Sequence, residues 1–403
     1  MENRIEKLKN QLHNKRARIE KRYIFYEMKN LARDFKISTP PELLYFNSVV
    51  GWSAKAVDSL ADRLNFIDFK NDVFDFNQIF DFNNKDILIR ALILDALISS
   101  CSFIYISKDE TGFPRLQCIP AEDATGEIDE ITGLLKDGYA VLEKDKYKNP
   151  IVEAFFTPEF TAYYEKGNLV DYRENETGYT LLVPIVFRPD SKRPFGHSRI
   201  SRACMGYTSG AMRTIKRSEI SAEFFSFPQK YATGLDNNSE DFDKWAAVMS
   251  AMLRFTLNED GQDHVKIGQF AQQSFTPHIE ELKMFASLFA GETGLTLDDL
   301  GFPQSNPSSS EAIKAAHENL RLCANAAMRT FNVGLLNTGF VAACIRDSTK
   351  YQRHQIRFER PSWMPSFPAD VSTLGAVGDA VGKINTAFPE YFTAEKMFEV
   401  TGI

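Results

Sequence analysis

Five cations, Arg199, Arg202, Arg213, Lys216 and Arg217, fall within nineteen residues of one another. On a helix, where each residue advances about 100°, they project into one sector about 100° wide. No acid interrupts the run before Glu219. Such a face can be solvated, can pair with acids of another subunit, or can contact phosphate, and the spacing leaves all three open. A second group is the polar segment GFPQSNPSSS, Gly301 to Ser310, inside the stretch from Gly291 to Leu322. Gln304, Ser305, Asn306, Ser308, Ser309 and Ser310 are small, uncharged hydrogen-bonding residues that can touch a phosphate without gripping it. Gly301, Pro303 and Pro307 keep the segment out of a helix, while Ser308 to Ser310 followed by Glu311 supply N-cap and first-turn chemistry for a restart. Enzymes set such loops over substrates, and ring-shaped translocation machines set them in channels.

Catalytic groupings fail their own spacing requirements. GxxxxGK[ST] and GxSxG are absent, and His317-Glu318 does not extend to HExxH. The six histidines (His13, His197, His264, His278, His317, His354) are dispersed, which argues against zinc. Asp241/Asp243 and Asp298/Asp299 could join a two-metal site only by converging in space, and turn or helix-end roles are commoner for such pairs. The expectation is a protein that is not an enzyme, with no catalytic residues, no metal and no cofactor. Asn175 and Asn237 head sequons that read as chance matches, because the N-terminus is a charged helix without an apolar signal core. Five scattered cysteines without CxxC spacing fit a reduced, intracellular setting.

The elements that must carry these groups follow from periodicity. A length of 403 residues with 43% hydrophobic content allows two or more packed units, and 33 phenylalanines supply large apolar anchors for cores or subunit contacts. The net charge of −7 argues against gripping nucleic acid over the whole surface. Residues 1–36 run the other way, with eleven Lys or Arg against five Asp or Glu. That helix reads as a solvated face first and a nucleic-acid or partner contact second. Val49, Trp52, Val57, Leu60, Ala61 and Leu64 share a helical face. Phe66 to Phe82 reads as short half-buried strands or turns. Ile87 to Ile106, apolar but broken by Arg90 and Asp95, reads as a buried helix ending at Asp95 to Ile98 and then a strand, not a membrane span. Ser99 to Arg188 alternates short strands with turn residues, a mainly antiparallel unit. A helix follows through the basic run, then a small insert over 235–277 with a helix at about 242–255 and a strand at VKIGQF. A second helix starts at Pro277, packs through Ile279, Leu282, Phe285, Ala286 and Phe289, and breaks near Gly291. A long helix runs from Ser309 to about Ile345, with strand and then helix beyond it.

The order of these parts resembles the portal proteins of long-tailed double-stranded DNA phages. VVGWSAKAVDSLADRLNFIDF is similar to the family's N-terminal helix, and ALILDALISSCSFIYISKDETGFPRLQCIPAEDATGEID to its wing helix and strands. LLVPIVFRPDSKRPFGHSRISRACMGYTSGAMRTIKRS resembles the passage into the first stem helix. GETGLTLDDLGFPQSNPSSSEAIKAAHENLRLCANAAMRTF resembles the second stem helix, tunnel loop and long helix, and FERPSW with GDAVGKINTAFP the closing segment.

The resemblance implies an α+β, portal-type ring protomer: α/β wing (1–197), first stem helix (198–229), small α/β clip (230–277), second stem helix (278–300), tunnel loop (301–310), long wing helix and closing strand (311–367), and short crown or helical tail (368–403). It implies a ring, usually of twelve copies, at one capsid vertex, through which double-stranded DNA is packaged and ejected without sequence specificity. Pro303, Gln304, Ser305, Asn306, Pro307, Ser308, Ser309 and Ser310 would line that channel. The implied partners are the chain itself, DNA, terminase, a head–tail adaptor, and the major capsid and scaffolding proteins, with no membrane. The implied location is the virion, with assembly in the host cytoplasm.

Overall fold

The structure, a computed structural model, describes residues 1–33, 45–226, 230–235, 252–256, 266–269, 274–303, 313, 315–367, 371–394, 396 and 397. They form a mixed helix-and-sheet protein of two compact units. Unit 1 takes in Met1–Asn30, Gly51–Met205 and Ala290–Ile403, and unit 2 takes in Leu31–Val50 and Gly206–Phe289.

Unit 1 opens with α1, Glu2–Tyr26. Ile5, Leu8, Leu12 and Ile19 recur at three-, four- and seven-residue spacing, so they share one face, and that face is buried. Ile5, Leu8 and Leu12 form a cluster with Tyr139, Val141 and Phe155 of the sheet beneath. That sheet has five antiparallel strands in sequential order: β4 (Ala124–Ile128), β5 (Leu135–Lys144), β6 (Pro150–Phe156), β7 (Phe160–Glu165) and β8 (Asn168–Glu174). A second sheet orders β3 (Pro114–Ile119), β2 (Cys101–Lys108) and β9 (Leu182–Val186), all antiparallel. The strand-rich reading of Ser99 to Arg188 therefore holds, with the strands divided between two sheets.

The basic excess of the N-terminus is largely bound within the protein. As an edge strand, β4 presents carbonyls that need donors. Gln11 Nε2 donates to Gly126 O at 3.4 Å, Lys15 Nζ to Ala124 O at 2.5 Å, and Arg16 Nε to Glu122 O at 2.9 Å. Arg4 pairs with Asp137, Lys7 with Glu127 at 3.3 Å, and Lys9 with Glu153 at 2.9 Å. A charged helix thus serves as the cover of a sheet edge, where a solvated face had been expected.

Helix α2 is Trp52–Ala61, and Trp52, Val57, Leu60, Ala61 and Leu64 are buried as the spacing predicts. Val49 precedes the helix and is 62% exposed. Phe66 to Phe82 meets the expectation of half-buried strand and turn in its first half and departs from it in its second, which is helical. Strand β1 (Phe66–Lys70) is followed by helix α3, Phe76–Phe82. The carboxylate of Asp72 accepts the Phe76 and Asn77 N–H groups at 2.7 and 2.8 Å, satisfying amides that the helix start leaves open. Helix α4, Lys85–Ser99, leads into β2 through Ser100 at φ 92°. The helix passes Asp95 and Ile98 before stopping. Among the described residues no helix is long and apolar enough to cross a membrane.

A long helix, Glu318–Arg346, lies against β9. Gly334 lets it approach: a Cβ there would sit 2.5 Å from Ile185 Cδ1 and 2.9 Å from Pro184 O. Gly334→Val should lower unfolding stability by about 1–3 kcal/mol, the usual range for overpacking a core. An unchanged denaturation midpoint would show that helix and strand can separate without loss. Beyond the helix, Arg360–Trp363 pairs antiparallel with β1, and Val371–Ala387 forms a further helix.

Unit 2 contains most of α5, Arg202–Ser226, most of α6, Thr276–Thr293, and a sheet in which Lys230–Leu235 pairs parallel with Met252–Thr256 and antiparallel with Lys266–Gln269. The strand at VKIGQF is present. The helix expected at about 242–255 gives way to strand at Met252, and the rest of it lies outside the described residues.

Candidate functional site

The five cations singled out in the sequence do not form one exposed helical stripe. Helix α5 starts at Arg202, so Arg199 precedes it, and Arg199 is buried in unit 1 at 6% exposure. Its guanidinium donates to Ala56 O at 3.2 Å and Thr293 O at 2.5 Å, and approaches Cys323 Sγ at 3.4 Å. Burial, the largest influence, holds the Arg199 pKa below its ordinary value. The contact is chemically reasonable, because Thr293 ends α6, where carbonyls lack helical partners and the helix dipole favours a cation. Arg202 is exposed. In unit 2 Arg213 and Arg217 are half-buried and Lys216 is buried at 4% exposure. Arg217 Nη1 stands 3.9 Å from Glu281 Oε1, so part of the stripe pairs with α6 of the same chain.

The two helices of unit 2 meet closely. A Cβ on Gly210 would sit 2.6 Å from the Phe285 ring, and Ala211, Met212, Ala286 and Phe289 are buried. Of the predicted α6 contact residues, Ala286 and Phe289 are buried, Leu282 and Phe285 half-buried, and Ile279 is 59% exposed. Met284 and Leu288 are also exposed, at 49% and 45%.

The polar segment is entered through a well-defined turn. Thr296 donates both its N–H and its hydroxyl to Asp299 Oδ2 at 2.9 Å, and Asp299 N–H returns a bond to Thr296 Oγ1 at 3.2 Å. A short 3-10 turn, Asp298–Leu300, ends at Gly301 with φ 92°, a conformation that favours glycine. Phe302 N–H then closes back on Leu297 O at 3.0 Å. Asp299 is thereby a turn-forming residue, and His317 Nδ1 lies 3.8 Å from its carboxylate. Pro303 is described and exposed; Gln304, Ser305, Asn306, Pro307, Ser308, Ser309 and Ser310 lie outside the described residues.

Among the described residues no group of three or more His, Cys, Asp or Glu side chains could hold a metal. All five cysteines are free. Asp241, Asp243, Asn237 and His264 lie outside the described residues, while Asn175 donates to Thr157 O at 2.5 Å as part of a turn. Sequence reasoning passed over one further polar centre. Asp95 Oδ1 accepts from Tyr23 Oη at 2.7 Å and Ser99 Oγ at 3.0 Å, and Oδ2 accepts from Ala121 N–H at 2.9 Å. Burial pushes the Asp95 carboxyl up to about 6, against lowering by these three hydrogen bonds and by Lys15. The signal for it was an acid inside an otherwise apolar helix.

Comparison with known proteins adds the decisive observation. No protein-family model matches the chain. It is 26% identical over 318 residues to the portal protein of Mycobacterium phage L5, and 25% identical over 317 residues to that of Mycobacterium phage D29. The chain is similar to phage portal proteins. Each match takes in 73% of this chain and 65% of the phage protein, so the chain spans about two thirds, slightly under, of the length of these portal relatives. Solved structures with a related course include a chain in the neck of the native GTA particle computed with C12 symmetry, at TM-score 0.46 and 12% identity, covering 86% of this chain and 88% of that one. Another belongs to the virion of the native gene transfer agent particle, at TM-score 0.43 and 12% identity, covering 87% and 89%. The portal likeness agrees with the resemblance carried by the sequence motifs.

Proposed function

We propose that the chain is a portal-type subunit that closes into a ring at one capsid vertex, each copy meeting its neighbours head to tail through two different surfaces. The observation that carries the reading is the similarity to two phage portal proteins over 318 and 317 residues. In this reading the ring is a dodecamer, its channel passes double-stranded DNA inward during packaging and outward during ejection, and its outer surfaces dock terminase, a head–tail adaptor, and capsid and scaffolding proteins. The subunit acts in the virion after assembly in the host cytoplasm, and performs no catalysis.

The proposed division assigns 1–197 and 311–367 to the wing, 198–229 and 278–300 to the stem, 230–277 to the clip, 301–310 to the tunnel loop and 368–403 to a short crown or tail. Charge supports the channel reading: DNA that must slide is served by shallow electrostatics, and a net charge of −7 with an uncharged 304–310 segment avoids deep wells. Arg202 and Arg213 are the stem cations proposed to approach either DNA or a neighbouring subunit.

Particle imaging and native mass measurement of the purified chain test the reading together with its loop. The expected result is a closed ring with a central hole, formed equally well after deletion of Gln304 to Ser308, while the deletion impairs DNA packaging or retention. A stable monomer under every assembly condition would remove the portal reading. Loss of the ring on deletion would make the segment a structural connection instead.

A further inference from the structure

A cleft of about 1140 Å³ opens in unit 1 between α1, the end of β4 with its following turn, and residues 192–196. Charge is unevenly matched along it. The acids in its wall, Glu127, Asp129 and Glu130, all belong to β4 and the turn after it. There Lys7 meets Glu127 at 3.3 Å. About three to four helical turns further along α1, the wall carries Arg18 and Arg22, and the 192–196 segment adds Lys192 and Arg193.

Among the described residues no carboxylate pairs with these four cations. Arg22 Nη1 donates to Ser99 O at 2.7 Å, and Arg193 Nη1 lies 3.4 Å from His197 Nδ1. Among the described residues the side chains of Arg18 and Lys192 make no hydrogen bond or ion pair, and both are exposed. Two acids lie close in sequence: Glu20, between Arg18 and Arg22, pairs with neither of them, and Asp190, nearest to Lys192 and Arg193, is already occupied, its Oδ1 accepting the Lys192 and Arg193 N–H groups at 2.8 Å and its Oδ2 lying 2.6 Å from His197 Nε2. Burial lowers the Arg22 pKa first, and the charges of Arg18 and Arg193 lower it further, which marks them as near neighbours of like sign. Like charges gathered in a concave wall raise the local potential and favour an incoming anion. Guanidinium groups suit a carboxylate well, since both nitrogens of the fork can donate.

The chain itself offers that anion. Outside residues 1–36 it carries 36 Lys or Arg against 49 Asp or Glu. A ring built head to tail joins two different surfaces of one protein, so a basic cleft on one copy can face an acidic surface of the next. We propose that the Arg18, Arg22, Lys192 and Arg193 end of this cleft docks an acidic surface of a second copy of the chain. The inference rests on the ring reading above and names a contact within it.

The test is the double substitution Arg18→Glu with Lys192→Glu, two exposed positions whose change leaves the core untouched. Thermal melting checks the fold, and native mass measurement with sedimentation follows assembly at low and high salt. The expected result is an unchanged melting temperature and a ring that needs roughly tenfold more protein to form. Wild-type assembly should weaken as salt rises, and assembly of the variant should not. A variant that assembles at the wild-type concentration would overturn the inference and leave the ring reading standing. Normal assembly with lost retention of a short DNA duplex would reassign the cleft to nucleic acid and equally overturn it. Absence of any ring from the wild-type chain would overturn the ring reading itself.

Discussion

Arg199→Ala should lower unfolding stability by about 3 kcal/mol, since a buried acceptor left without its partner costs about 1–3 kcal/mol and more when the lost donor is charged. The guanidinium joins Ala56 in α2, Thr293 at the end of α6 and Cys323 in the helix Glu318–Arg346, so three separate stretches of unit 1 lose a common donor. Removing a buried charge offsets part of the cost, because desolvation is what depresses the Arg199 pKa. Arg199→Lys should recover less than half of the loss: one ammonium cannot reproduce the spread of a planar fork. Chemical denaturation of the three proteins measures this. If Arg199→Ala unfolds at the same denaturant concentration as the native chain, the guanidinium is not a tie.

Stability should also fall as pH rises through the range in which Asp95 ionises. The folded carboxyl titrates at about 6, against an ordinary 3.8. A carboxyl whose pKa is raised by folding binds its proton more tightly in the native state. Its contribution is therefore fully present below the unfolded value and is lost as pH climbs through the folded one. The difference of about two units corresponds to about 3 kcal/mol between acid and neutral pH. Asp95→Asn should flatten this part of the stability profile, at the cost of setting an amide donor against the Ala121 N–H or the two hydroxyl donors. Urea midpoints from pH 4 to pH 7 for both proteins provide the check. An identical pH dependence in the two would assign the change to other groups.

These two centres show how far the sequence could be read. Arg199 was visible as a cation but was placed on a helical stripe with Arg202, because the periodic argument extends the helix through positions where the chain has not yet become helical. Its actual partners are carbonyls and a thiol 94 to 143 residues away in the chain. Asp95 was visible only as an interruption of an apolar run. Its donors come from its own helix, from α1 and from the start of the loop at Ala121, and no local pattern brings those together.

The N-terminal helix gives the same lesson in another form. Its eleven cations in 36 residues mark a basic segment in any reading. The interior partners of Lys9, Lys15 and Arg16 were not legible, because the Glu153 carboxylate on β6 and the open carbonyls at and beside the edge strand β4 come beside α1 only once the sheet has formed.

By itself the sequence determined the succession of elements: a buried helix running into β2, the strand-rich unit after it, the helix pair around a small insert, and the long helix that ends near Ile345. It also carried the likeness to portal proteins, through the order of its motifs. Those properties follow from local periodicity and turn chemistry, which act over a few residues. Only the tertiary structure decided which cations are committed and which remain open, separating the buried Arg199 from the exposed Arg202 and the edge-capping Lys15 from the unanswered Arg18. The physical reason is that the fate of a charge depends on the donors, acceptors and burial around it, and folding assembles those from distant parts of the chain.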